Sequence, residues 1–131
     1  MMRWCASLLA LGSAGCTADV PAPELTARTL GAELRCIDAA QIVARRAVGP
    51  RSLVFEMADG TVYRNQLPAA CPSLSNARAY DVISLELQGN QICSGDTFRA
   101  FDPAEPRAGG LQSIPECRLG AFTPIEPRSR R

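Results

Sequence analysis

The chain contains no histidine in its 131 residues. That excludes Ser-His-Asp and Cys-His catalysis, in which an imidazole activates the nucleophile. It also removes the commonest metal ligand and the usual general base near neutral pH. Lysine is missing as well, so all 14 basic residues are arginine. Together with abundant alanine, this points to a GC-rich genome rather than to an activity. A charge surplus is lacking: with Arg3 set aside, 13 basic residues face 13 acidic ones. Nucleic acid is therefore not an expected partner, because neutralising phosphates takes a basic excess. There is no Gly-rich phosphate loop and no recognisable nucleophile motif. No apolar run approaches the roughly 20 residues of a membrane-spanning helix. The six cysteines include no C-x-x-C pair, which argues against a thioredoxin-like redox motif.

What is present begins with a leader. Arg3 makes the first residues positive, Trp4 to Leu11 is an uninterrupted apolar run, and Gly12 to Gly15 are small. These are the three zones of a secretory signal over residues 1–15. Leu11-Gly12-Ser13-Ala14-Gly15-Cys16 resembles a bacterial lipobox. The resemblance implies that Cys16 is acylated and becomes the mature N-terminus. Ser13 departs from the leucine usual three residues before the cysteine, although a looser small-residue form fits. Membrane lipid, reached through the acyl anchor, is thus the expected partner. The expected location is the periplasmic side of the cell envelope, with a secreted, soluble periplasmic protein as the alternative. Cys5 reads as one more apolar residue of the leader.

Removing residues 1–15 leaves 116, enough for one domain. With Cys5 discarded and Cys16 lipidated, Cys36, Cys71, Cys93 and Cys117 remain. Four is an even number, and in an oxidising compartment two disulfides are expected. Their pairing is left open. Their spacings of 35, 22 and 24 residues do not match a zinc site. No metal and no cofactor is expected.

Residues 16–31 read as the anchor cysteine followed by a flexible tether carrying Pro21 and Pro23. Residues 32–125 read as a β-rich domain and 126–131 as a disordered tail. Asp38-Ala39-Ala40-Gln41 has capping-box spacing for a short helical turn, while Ile42 to Val48 fits a strand as well. Ser52 to Met57 and Thr61 to Asn65 are strand-like runs around Ala58-Asp59-Gly60, a strong hairpin signal with Gly60 at positive φ. Asp81 to Leu87 alternates as a strand. Ile92 to Phe101 is extended, with a kink at Ser94-Gly95. A loop spans 102–116, and Cys117 to Phe122 is the last strand. The expected fold is mainly β: a small, single-domain, barrel-like or strongly bent antiparallel sheet stapled by disulfides.

The pieces Cys36-Ile37, Phe55…Gly60-x-x-Tyr63-x-Asn65-x-Leu67, Cys71-Pro72-x-Leu74, Ile92-Cys93-x-x-Asp96 and Cys117-x-Leu119-Gly120-x-Phe122-x-Pro124 span residues 35–125. In order and cysteine placement the chain resembles a family of small exported bacterial proteins of unknown function. Phe98 departs from the aliphatic residue expected there. The resemblance implies export and a cysteine-bearing β-rich domain, and it carries no activity.

Tyr63 and Asn65 share one face of their strand, because side chains alternate with period two. With Asp96 they could line a polar pocket. The ordinary reading has Tyr63 packing in the core, Asn65 closing the strand end, and Asp96 capping a turn. Glu56, Asp81, Glu86 and Asp96 are the acids from which a two-carboxylate site could be built. The expected function is non-catalytic binding or scaffolding in the envelope. The alternative is a small carboxylate-dependent hydrolase. Arg128, Arg130 and Arg131 make a basic tail that reads as a solvated terminus.

Overall fold

The computed structural model describes residues 23–74, 82–87, 89–101 and 109–127. The leader, Cys16, Asp81, residues 102–108 of the 102–116 loop and the arginine tail lie outside these residues. Among the described residues nine strands form: β1 (Cys36–Asp38), β2 (Ile42–Ala47), β3 (Ser52–Met57), β4 (Val62–Gln66), β5 (Val82–Leu85), β6 (Gln91–Cys93), β7 (Thr97–Phe101), β8 (Cys117–Arg118) and β9 (Phe122–Ile125). They assemble into a four-stranded sheet β2-β3-β4-β9, a three-stranded sheet β5-β7-β8 and a two-stranded ribbon β1-β6. Every pairing is antiparallel. The fold is mainly β, and among the described residues the sheets do not close into a barrel.

The hairpin β3–β4 forms as its sequence requires. Phe55 faces Tyr63 and Leu53 faces Asn65 across it. Met57 N–H donates to Thr61 O at 2.8 Å and Gly60 N–H to Met57 O at 3.0 Å. This is the pattern of a three-residue loop ending in a bulge glycine, longer than a two-residue type I′ turn. Gly60 has φ 92°, and the Asp59 carboxylate accepts from Thr61 N–H at 2.9 Å.

Both readings of residues 38–48 hold in sequence. Asp38 caps a single 3-10 turn at Ala39–Gln41 by accepting from Ala40 N–H, and β2 follows at once. A register shift between Ile42 and Ala44 turns the Val43 side chain out to solvent. The run from Ile92 to Phe101 is broken where the sequence kinks. Gly95 has φ 95°, and Asp96 N–H donates to Cys93 O at 3.0 Å. That turn moves the chain from the ribbon to the three-stranded sheet.

The last strand differs from expectation. Instead of one run from Cys117 to Phe122, two short strands flank Leu119–Ala121. A Cβ on Gly120 would stand 2.0 Å from Gln66 O. The backbones approach too closely there for a regular ladder, and only glycine fits.

The main core lies between the sheets. It is built from Leu53, Phe55 and Met57 of β3, Ile92, Phe98, Leu119 and Phe122, with Leu67, Cys71 and Leu74 at one corner. Phe55 and Phe122 meet edge-on, with ring centroids 5.5 Å apart. Two disulfides staple this core: Cys36–Cys93 between facing residues of the ribbon, and Cys71–Cys117 between the 67–74 corner and β8. Of the alternatives left open by the sequence, these are the pairings formed.

The other face of β3 is covered as well. Val54, Val62 and Ile125 form a second apolar cluster, with Ala27 and Val48 packed against it. Residues 23–31, read from sequence as the far part of a tether, supply that cover. A 3-10 turn at Pro23–Leu25 leads the chain along the sheet. Leu30 N–H then donates to Pro124 O, and Leu34 and Phe122 exchange both backbone hydrogen bonds. Glu24 is 3% exposed and pairs with Arg46, which also pairs with Glu56. Arg64 Nη1 donates to the carbonyls of Glu24 and Ala27 at 3.0 and 3.3 Å. The cover forms because a strand with apolar residues on both faces must bury both. Among the described residues, no helix is long and apolar enough to cross a membrane.

Candidate functional site

Each of the three residues expected to share a pocket has a partner of its own. Asn65 is fully buried, and its side-chain amide is spent on one peptide unit. Nδ2 donates to Gly120 O and Oδ1 accepts from Gly120 N–H, both at 2.7 Å. The side chain thus replaces the ladder hydrogen bonds that the close approach at Gly120 removes, and this is why Asn65 stands where β4 meets β9. Asp96 accepts from Cys93 N–H at 2.8 Å and caps the turn between β6 and β7, the ordinary role of such an aspartate. Tyr63 packs edge-on against Phe122 at 6.4 Å and is half-buried.

Of the three, Tyr63 reaches a cavity. This opening of about 280 Å³ lies where the β1–β6 ribbon meets the end of the β3–β4 hairpin. Ile37, Met57 and Tyr63 give it an apolar wall. Asp38, Gln41, Asp59 and Gln91 contribute polar groups, with Leu34 and Cys36 beside them. Its shape depends on local capping. Asp38 is aimed by the cap it makes on the 39–41 turn, and Asp59 by the bond from Thr61. Ala58 N–H donates to Gln41 O at 2.7 Å and ties the hairpin tip to that turn. The disulfide at Cys36–Cys93 fixes the ribbon on the other side.

The Asp59 carboxyl is held below its ordinary pKa, first by the backbone hydrogen bond from Thr61 and then by the Thr61 side chain. It stays ionised through neutral pH. The cavity therefore offers carboxylate and amide acceptors, amide donors and an apolar wall, which is the chemistry of a binding surface. Sequence reasoning singled out Tyr63 but missed Asp38, Asp59, Gln41 and Gln91 as cavity residues. The two aspartates carried a signal, since both stand at capping positions. The glutamines carried none, because the ribbon that brings Gln91 near Gln41 joins segments some fifty residues apart.

The acids weighed for hydrolysis have other partners. Glu86 binds Arg99 Nη1 at 2.6 Å, and Glu116 binds Arg99 Nη2 at 3.3 Å. Arg99 also donates from Nε to Ile114 O, so one guanidinium ties two carboxylates and a loop to β7. Glu56 is held by Arg46. Burial acts to lower the Arg46 pKa, but its hydrogen bonds to Glu24 and Glu56 outweigh that and raise it. Asp81 lies outside the described residues. Among the described residues, no three His, Cys, Asp or Glu side chains are grouped to hold a metal ion. No family model matches the chain, and no curated protein and no solved structure matches it either.

Proposed function

We propose that this is an exported cell-envelope protein, held to membrane lipid through an acylated Cys16, whose β domain binds or scaffolds without catalysing a reaction. One observation carries the reading: the four cysteines of the body pair completely into two disulfides. Disulfides of this kind persist in oxidising compartments and are rare in the cytosol. The leader pattern of residues 1–15 and the lipobox-like run before Cys16 agree with it. The non-catalytic part is supported by the carboxylates. Glu56, Glu86 and Glu116 are bound by arginine and Asp96 by a backbone donor, where a hydrolase would aim two of them at one substrate bond. The cavity between the ribbon and the hairpin tip is the natural place for a bound group.

Intact mass spectrometry of the protein extracted from membranes tests the reading. The expected species begins at Cys16 and carries added acyl mass. A soluble chain beginning at another residue would replace the anchor with plain secretion. Cell-wall glycans, peptides and esters offered to the purified protein should be left unchanged. Turnover lost on Glu86→Gln or Asp96→Asn, with the fold retained, would establish a hydrolase instead.

A further inference from the structure

We propose that the segment from Leu30 to Leu34 docks on the bilayer surface and holds the domain with its β9 edge toward the membrane. The inference rests on the lipid-anchor reading above. Five large apolar residues are exposed among the described residues: Leu25 36%, Leu30 54%, Leu34 41%, Val43 65% and Leu87 51%. Two of the five, Leu30 and Leu34, stand on the stretch that runs beside β9, in the first described segment after Cys16, while Leu25 lies upstream in the turn held by Arg46 and Arg64. Val43 has its own cause, the bulge in β2. It also lies on the opposite edge of the sheet, since the order is β2-β3-β4-β9 and residues 29–34 run beside β9.

The leucines are presented by a fixed backbone. Leu30 N–H donates to Pro124 O at 2.9 Å, Leu34 N–H to Phe122 O at 2.8 Å, and Glu126 N–H to Arg28 O at 2.9 Å. Upstream, Arg46 holds Glu24 and Arg64 binds the carbonyls of the same turn. A backbone so tied could turn leucines inward, yet Leu30 and Leu34 face out.

Lipid is the occupant that the chain itself brings within reach. Six residues lie between Cys16 and Pro23, and the seven backbone steps can span at most about 25 Å. An acyl anchor at Cys16 therefore keeps the leucines next to the bilayer at high effective concentration, so even a weak apolar contact is populated. Charge contributes little to it. Arg28 is paired with Glu126 at 3.7 Å, and in sequence Glu33 is balanced by Arg35 two positions on. The contact should then survive salt that screens electrostatic adsorption. In this orientation the cavity, to which Leu34 contributes, opens near the membrane surface.

The mature chain would contain no tryptophan, because the one tryptophan is Trp4 of the leader. A single introduced indole is thus an unambiguous reporter. Leu30→Trp, Leu34→Trp, Val43→Trp and Leu87→Trp chains starting at residue 16 are coupled through the Cys16 thiol to a maleimide lipid. The vesicles are of phosphatidylethanolamine and phosphatidylglycerol with brominated acyl chains. All four positions are exposed, so the indole displaces no core atom. Docking predicts emission at positions 30 and 34 that bromine quenches at least twofold more than at 43 and 87, in low salt and in 1 M salt alike. Equal quenching at all four positions overturns the proposal. A blue shift at 30 and 34 without bromine quenching also overturns it, and assigns the leucines to a second copy of the chain. Because the anchor is supplied chemically, failure here is distinct from failure of Cys16 to be acylated in the cell, which the intact mass reads.

Discussion

The two faces of β3 are held by different physics. The inner face puts Leu53, Phe55 and Met57 into a dry core with Phe98 and Phe122. The outer face buries Val54 with Val62 and Ile125 under a strap of chain. That strap is secured by Glu24, Arg46, Glu56 and Arg64. One face is stabilised by area removed from water, which has no directional requirement. The other depends on particular charged partners, each of which must stay matched once it is desolvated. The lesson is that a polar segment can be structural when a sheet has a second apolar face to hide.

The largest expected effect is on the inner face. Phe55→Ala should cost about 3–5 kcal/mol, through lost apolar burial and the cavity left beside Phe122. The denaturant midpoint should fall with one cooperative transition. Val54→Ala removes less volume from a smaller cluster, and its effect should be clearly the lesser of the two.

The outer face should fail locally. Glu24→Ala leaves Arg46 with Glu56 alone and should cost about 1–3 kcal/mol. The damage should be confined to the strap, since segments with few apolar contacts open below the global unfolding energy. Limited proteolysis is therefore expected to cut residues 23–34 faster while the disulfide-linked core stays intact. Uniform cleavage across the whole domain would erase the distinction between the faces.

Gly60→Val probes the hairpin that joins both faces. A Cβ there meets nothing within 4 Å, so the cost is confined to holding a branched residue at φ 92°. About 1–2 kcal/mol is expected from the left-handed backbone. An unchanged midpoint would mean that the turn is not what sets the register of β3 and β4.

The smallest effect is on pH. The folded-state pKa of Asp59 is lowered, mainly by the Thr61 backbone donor. Its contribution to stability is therefore complete above the unfolded-state pKa. It is lost as pH falls through the lower, folded value. Asp59→Asn should lower stability slightly at neutral pH and flatten the acid limb, so that the two proteins converge once pH falls below the folded-state pKa of Asp59.

Local chemistry was legible in the sequence. The hairpin follows from Ala58-Asp59-Gly60 between two strand-like runs, the 39–41 turn from Asp38 as a cap, and the kink before β7 from Ser94-Gly95. The even cysteine count foretold two disulfides. Their pairing did not follow, because it depends on β1 meeting β6 and on the 67–74 corner meeting β8, contacts far apart in the chain. The break at Gly120 was hidden for the same reason, since its cause is the carbonyl of Gln66. The strap over β3 was missed because Pro21, Pro23 and a lack of periodicity read as a tether. What orders it, Arg46 and Arg64, stands twenty to forty residues away. The cavity combines both kinds of signal: its aspartates are local caps, and its glutamines meet only through the fold.

Non-reducing peptide mapping of the protein taken from its native cell envelope tests most directly the claim of an oxidised, doubly stapled β domain. Proteolytic fragments joined as Cys36–Cys93 and Cys71–Cys117, with no alkylatable thiol among those four, are the predicted result. Four free thiols, or a different pairing, would contradict it.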